Sequence, residues 1–446
     1  MRTVPSSFLK PFRLRLAWLL VAILTHHAAC GADGKVAGSG DPFPGFSFTV
    51  PDRQGKPVEI LYERGEVRCR RTKDAAPRLV TAELATLVPQ GSSADEINRL
   101  LLQHHIVFFA PQATYRLSKA IRIPSHTVID FQQASLILED GANSPLLMNE
   151  NQRQGDTNII LLNGRLLGNG ARQVRNYTKD YRDGYFGFGT IFTKVGQLVM
   201  DGFHVQDTNA WGIAYFLCGT VRFSDFTFDQ RVAKGRNGDG ITGIARKVYV
   251  ARVSGYTNDD MVAVSTGIGS LQGHDIGIAK EDTIDVERVV IEDIRCISKA
   301  GQRTHVGVGL YPTAGRTIQK VSISGLHGEF DHCAYRLQNY WPQKGAGYFG
   351  EVIVTDVEST SNHLHGSLVD VAGMESLLLK GHRALESGSD ADLLTLNGSV
   401  VKKLDLDDCT LMNGAPNREG WIHLFPSKPS RIEELSVQKA RRIRKE

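Results

Sequence analysis

The sequence lacks several features that would assign it quickly. It has six cysteines in 446 residues, widely spaced and without any Cys-x-x-Cys pair, which excludes both a disulfide-stapled small fold and a thiolate zinc site. No apolar run after residue 24 is long enough to cross a bilayer. Beyond residue 103 no stretch carries an extended helical period. Charge of one sign is also missing: the net +4 of the chain comes from Arg2, Lys10, Arg13 and Arg15, and residues 33–446 keep 48 of the 52 basic side chains against 48 acidic ones. A balanced chain gives no electrostatic footprint for nucleic acid or an anionic membrane. The basic tail Lys439 to Lys445 is too short to change that and reads as a solvated terminal run.

The first residues supply a positive sign. Basic residues precede the apolar run Leu16 to Leu24, and small residues follow at Ala28, Ala29, Gly31 and Ala32. That order describes a secretory signal over residues 1–32, so a secreted or periplasmic protein is expected. Acylation of Cys30 as a lipoprotein is the weaker alternative, because His27 stands where a Leu-like residue is needed. The remaining cysteines, Cys69, Cys218, Cys296, Cys333 and Cys409, are odd in number, and those in strand-like segments are expected to be buried thiols.

Residues 33–90 read as a Gly/Pro/Ser-rich lead-in followed by irregular β pieces. Ser93-Ala94-Asp95-Glu96 is a capping box opening a short helix. Beyond it a pattern recurs: Asn158-Ile-Ile-Leu-Leu-Asn-Gly, Gln197-Leu-Val-Met-Asp-Gly, Thr220-Val-Arg-Phe-Ser-Asp, Lys247-Val-Tyr-Val-Ala-Arg, Arg288-Val-Val-Ile-Glu-Asp, Lys320-Val-Ser-Ile-Ser-Gly, Glu351-Val-Ile-Val-Thr-Asp, Ser376-Leu-Leu-Leu-Lys-Gly, Lys402-Lys-Leu-Asp-Leu-Asp and Glu434-Leu-Ser-Val-Gln. Each copy has a polar start, alternating apolar positions and a terminal Gly, Asp or small polar residue. A second short apolar strand lies between copies. Short strands, no long helices and 45 glycines predict an all-β chain, a single-stranded right-handed parallel β-helix over residues 91–446, with the short helix capping its N-terminal end. One coil cannot bury its inner face alone, so coils must stack.

Within that solenoid one pair of clusters carries chemistry. Asn237-Gly238-Asp239 and, one repeat later, Asn258-Asp259-Asp260 each precede an apolar strand. Stacked coils are about 4.8 Å apart, so equivalent positions become neighbours. Asp239, Asp259 and Asp260 then share one site, and their repulsion should raise at least one pKa, as suits a general acid beside a general base. The plainer alternative is that Asn, Asp and Gly merely satisfy turn backbone.

These residues resemble glycoside hydrolase family 28, the polygalacturonase family. Asp207-Thr-Asn-Ala-Trp211 with Cys218-Gly-Thr-Val221 is similar to its tryptophan and cysteine coil, Asn237-Gly238-Asp239 stands where Asn-Thr-Asp is expected, and Asp259-Asp260 matches its Asp pair. Gly301-Gln-Arg-Thr-His305-Val-Gly-Val-Gly309 is similar to the Gly-His-Gly coil, and Tyr335-Arg336-Leu337-Gln338 with Gly345-Ala-Gly-Tyr348 to Arg-Ile-Lys and its sequel. The resemblance covers roughly residues 93–360. It implies inverting hydrolysis of a polysaccharide, with Asp259 as acid, Asp239 and Asp260 activating water, His305 tuning the acid, and Asn237, Arg336 and Gln338 binding substrate without metal or cofactor. His274, in the insertion 267–283, competes with His305 for the histidine role. Gln338 replaces the family's Lys, and an amide cannot neutralise a uronate, so the resemblance leaves the sugar open. Tyr311, Tyr340 and Trp341 are candidate sugar platforms, and Tyr185, Phe186 and Phe188 a candidate cleft rim. A monomer acting on a polysaccharide is expected. The competing readings are a calcium-dependent polysaccharide lyase on the same fold and a non-catalytic glycan-binding solenoid.

Overall fold

The structure, a computed structural model, describes residues 41–444 other than 64, 74, 176–184, 232–236, 268–275, 280, 300, 340–344, 362–366, 386–391, 414–421 and 425–427. The expected signal and Cys30 lie outside the described residues. Of the unit Met1–Phe43 only residues 41–43 are described, where the Asp41 carboxylate accepts the N–H of Phe43 at 2.9 Å. The architecture below is that of the unit Pro44–Glu446.

The unit is a right-handed parallel β-helix. Its strands pair with strands one coil away: Ser135–Leu138 lies between Thr114–Leu117 and Arg165–Leu167, parallel to both. The repeat read from the sequence is this stacking. Val221, Val248, Val289, Val321, Val352, Leu377 and Leu404 stand in one register column, and all are buried in a single core. The last full copy is shifted by one from the alignment expected: Lys403, not Lys402, stacks on Ser376.

The terminal residue of each copy has a specific reason. Asp225, Arg252, Asp293, Gly325, Asp356, Gly381 and Asp408 directly follow one stacked column and all hold φ between +52° and +67°. A left-handed residue makes the corner between two strands of a coil. Gly accepts it without strain and Asp tolerates it, which selects those types at six of the seven corners; the exception is Arg252, whose guanidinium donates to the Asp225 carboxylate at 2.8 and 2.7 Å.

The helix Ala94–Leu101 closes the first coil. Its capping box is formed, with Glu96 Oε2 accepting the Ser93 N–H at 2.7 Å and Ser93 Oγ accepting the Glu96 N–H at 3.3 Å. Ala94, Ile97 and Leu101 enter the core. Asn98 uses both ends of its amide on the open strand edge, donating to the Ala120 carbonyl at 3.1 Å and accepting the Arg122 N–H at 2.8 Å. That satisfies backbone an uncapped edge would expose.

Residues 46–79 are more regular than the sequence suggests. Phe46–Pro51, Pro57–Glu63, Glu66–Arg70 and Arg78–Leu79 form an antiparallel sheet. It packs on outward-facing Ile106, Phe108, Val128, Ile160 and Val199. Arg222, which follows Val199 in the same column, is 1% exposed. Its guanidinium lies 5.6 and 5.2 Å from the rings of Phe46 and Tyr62 and donates to the Pro44 carbonyl at 2.9 Å. Cys69, Cys218, Cys296, Cys333 and Cys409 are buried thiols outside any disulfide. Among the described residues no helix is long and apolar enough to cross a membrane.

Candidate active site

A second column runs along the outside of the solenoid. Arg122, Met148, Ile191, Ala214, Thr242, Ala263, Gly309 and Arg336 are in register, each on the next coil. The acidic clusters enter this face at the mouths of two neighbouring strands, Ile241–Tyr256 and Asp260–Ser265. Side chains along a strand should alternate between faces, yet Met261 and Val262 both join the core. Gly240 and Ile241 repeat the slip one coil earlier: a Cβ on Gly240 would meet the core ring of Phe228. This change of phase turns Asp239 and Asp260 outward. The coils stay paired there, with Gly240 N–H donating to the Asp260 carbonyl at 2.9 Å and Gly212 N–H to the Asp239 carbonyl at 2.8 Å.

Asp239, Asp259 and Asp260 thus line one pocket, together with Thr242, Tyr311 and Arg336. Asp239 is 6% exposed and Asp260 4%, whereas Asp259 is half-buried. Thr242 Oγ1 donates to Asp239 Oδ2 at 2.7 Å, and the buried Oδ1 has no hydrogen-bond partner. The Tyr311 hydroxyl donates to Asp260 Oδ2 in a short bond and accepts from Arg336 Nη2 at 2.6 Å. Arg336 Nη2 is 3.5 Å from Asp260 Oδ1, and the guanidinium covers the Tyr311 ring at 5.2 Å.

The electrostatics follow from that packing. Burial, then the charges of Asp259 and Asp260, hold the Asp239 pKa well above the usual carboxylate range. Burial also raises Asp260, opposed by the Arg336 charge and the Tyr311 bond. Burial, reinforced by the Asp260 charge, keeps the Tyr311 phenol protonated. The acidic centre therefore retains a proton to a higher pH than an isolated carboxylate, which permits acid and base roles within one cluster.

The remaining candidates divide. Asn237 lines the pocket, and its Oδ1 accepts from Arg175 Nη1 at 2.5 Å. Tyr311 was expected as a sugar platform; instead it is 6% exposed beneath a guanidinium, with its hydroxyl committed to the Asp260 network. Gln338 pairs with Asp370 on the next coil and is not a lining residue. His305 is likewise outside the pocket lining: its Nδ1 lies 3.5 Å from Asp331 and its ring stacks on His332 at 5.1 Å. His274, Tyr340 and Trp341 lie outside the described residues.

Sequence reading missed Thr242 and Gly309. Thr242 follows Asp239 by three residues and belongs to no motif that would single it out. Gly309 is legible only in three dimensions: a Cβ there would lie 2.5 Å from Asp260 Oδ2 and overlap the Tyr311 hydroxyl. Among the described residues no group of three or more His, Cys, Asp or Glu is arranged to hold a metal ion.

No known protein-family model matches this chain, and no curated protein matches it in sequence. Solved structures do resemble it. One is the family 28 exopolygalacturonase of Yersinia enterocolitica, at 10% identity and TM-score 0.46, over 87% of this chain and 84% of that one. Another is the A-module of a mannuronan C-5 epimerase of Azotobacter vinelandii, at 10% identity and TM-score 0.46, over 79% and 94%. A third is an endo-xylogalacturonan hydrolase of Aspergillus tubingensis, at 10% identity and TM-score 0.37, over 78% and 88%. At 10% identity, residue roles rest on this chain's own geometry.

Proposed function

We propose that the protein is an exported glycoside hydrolase that cleaves a polysaccharide by an inverting, carboxylate-based mechanism. The observation that carries this is the convergence of Asp239, Asp259 and Asp260 from two consecutive coils into one pocket beside Arg336. Asp259, the most exposed of the three, is the residue best able to reach a glycosidic oxygen and acts as the acid. Asp239 and Asp260, buried and fixed by Thr242 and Tyr311, hold and activate the attacking water. Burial, then the charges of Asp259 and Asp260, keep a proton on Asp239 above the usual carboxylate range; passing that proton to Asp259 supplies the acid form and leaves Asp239 ionised as the base. Arg336 balances charge on Asp260 as substrate arrives.

A lyase needs a base to remove a proton next to a uronate. Against its burial, Arg336 is held protonated by the Tyr311 and Asp260 oxygens beside it, and burial, then the Asp260 charge, push the Tyr311 phenol further from ionisation, so neither is poised as that base. The basic signal-like segment at residues 1–32 supports export.

The test is a panel of plant and algal polysaccharides assayed for new reducing ends. The native protein is expected to hydrolyse at least one, and Asp259→Asn to lose at least about 10³-fold in kcat, the order of a deleted acid catalyst, while keeping its circular dichroism. Equal turnover by Asp259→Asn would overturn the assignment. Unsaturated product that a chelator abolishes would establish the lyase instead.

A further inference from the structure

Outward positions on a solenoid normally face water, yet on the N-terminal side of the acidic pocket they do not. Met148, Ile191, Ala214 and Ile244 are 6%, 0%, 0% and 1% exposed. They lie in an apolar cluster outside the main core, beneath residues from two excursions of the chain. Phe186 and Phe188 come from the segment before Thr190–Thr193, and Ile276 and Ile278 from the segment between Asp260–Ser265 and Val286–Cys296.

Residues 276–278 of the second excursion lie against the coil of Met148. Gly277 sits so close to Arg153 that a Cβ on it would be 2.8 Å from the Arg153 Cα. The first excursion is tied to the pocket rim through the Arg175–Asn237 bond at 2.5 Å, and Phe188 stacks on Trp211 with centroids 4.6 Å apart.

Trp211, Phe216 and Ile244 belong to this cluster and also line the acidic pocket. Trp211 holds the place equivalent to Asp239 one coil earlier, about 4.8 Å away along the solenoid. Behind the wall a separate pocket opens around Lys119, Arg122 and Met148, with Ile276 in its lining. One packed apolar body thus divides this face into two compartments, and the acidic compartment ends against it.

Cleaving a bond in mid-chain requires polymer to run past the carboxylates in both directions. We propose that this wall makes the acidic pocket a chain-end site: the enzyme is exo-acting and releases a product of one fixed small size. The inference rests on the glycosidase reading above and specifies how that site meets its polymer. Phe188, Ile276 and Ile278 act as specificity determinants without touching the carboxylates.

Product analysis decides it. On a polysaccharide the native protein hydrolyses, the first few per cent of cleavage should yield a single mono- or short oligosaccharide by chromatography, with viscosity lagging the rise in reducing ends. An early ladder of mixed oligosaccharides with a viscosity collapse would overturn the inference and leave the glycosidase standing. Absence of hydrolysis on every polymer and oligosaccharide would remove the glycosidase reading, and the chain-end inference with it. The double variant Ile276→Gly, Ile278→Gly, checked for native circular dichroism, should shift early products toward longer fragments. A folded variant that keeps the single small product would also overturn the wall's role, and if the variant fails to fold, the native product pattern decides alone.

Discussion

The hydroxyl of Tyr311 reaches Asp260 because residue 309, stacked on Ala263 in the same outward column, carries no side chain. The Asp260 carboxylate and the Tyr311 phenol occupy the space that a Cβ at that position would need, and the Arg336 guanidinium donates to that phenol. The charge arrangement of the site thus depends on a glycine that has no polar side chain of its own.

Gly309→Ala should therefore separate Tyr311 from Asp260. Overpacking of a closed site costs about 1–3 kcal/mol, so the melting temperature should fall by several degrees and hydrolysis should drop by at least about 10²-fold. Tyr311→Phe, which makes room, should partly restore stability to Gly309→Ala without restoring activity. Calorimetry and turnover of the single and double variants check this.

Asp239→Asn should lose activity and gain stability at neutral pH. The folded pKa of Asp239 is raised, so its favourable contribution is complete below the unfolded carboxylate range and is lost as pH rises through the folded value. Above that value the native protein bears a buried, repelled charge that the amide variant does not. Melting temperatures of the two proteins should converge near pH 4 and diverge in favour of Asp239→Asn toward pH 8; a constant offset would contradict the assigned cause.

His382 should give stability the opposite dependence. It is fully buried in the coils beyond the site, neither ring nitrogen has a hydrogen-bond partner, and its ring lies 5.7 Å from that of Tyr335. Burial lowers its pKa from 6.5 to about 3. The unfolded chain therefore binds the proton first, and stability is complete above pH 6.5 and lost as pH falls below it. At pH 5 the loss is about 2 kcal/mol, from about 1.4 kcal/mol per pH unit. Denaturant titrations between pH 7 and 5 should show this slope in the native protein and a shallower one in His382→Leu.

The solenoid was legible because its cause is local and repeated. Each copy must present alternating apolar residues inward and end on a residue that accepts a left-handed corner, so Val221 through Leu404 and Asp225 through Asp408 mark the coils in one dimension. The capping helix was legible for the same reason, since Ser93 and Glu96 satisfy each other within one turn. The acidic trio was legible as a spacing, because stacking converts one repeat of sequence into one strand of distance. The antiparallel sheet over residues 46–79 was not, because its apolar alternation is short and its partner surface, from Ile106 to Arg222, is distant in sequence.

By itself the sequence determined which residues repeat, and hence the fold and the coils that bring Asp239, Asp259 and Asp260 together. Tertiary structure decided which side chains meet across coils. The phase slip at Met261 and Val262 turns the carboxylates outward, and Gly309 admits Tyr311 to Asp260. Gln338 and His305 fall outside the pocket lining, and residues 186–188 and 276–278 return from different excursions to wall off one side. Periodicity is written along the chain, but contacts between insertions depend on how far each loop folds back, which the repeat does not encode.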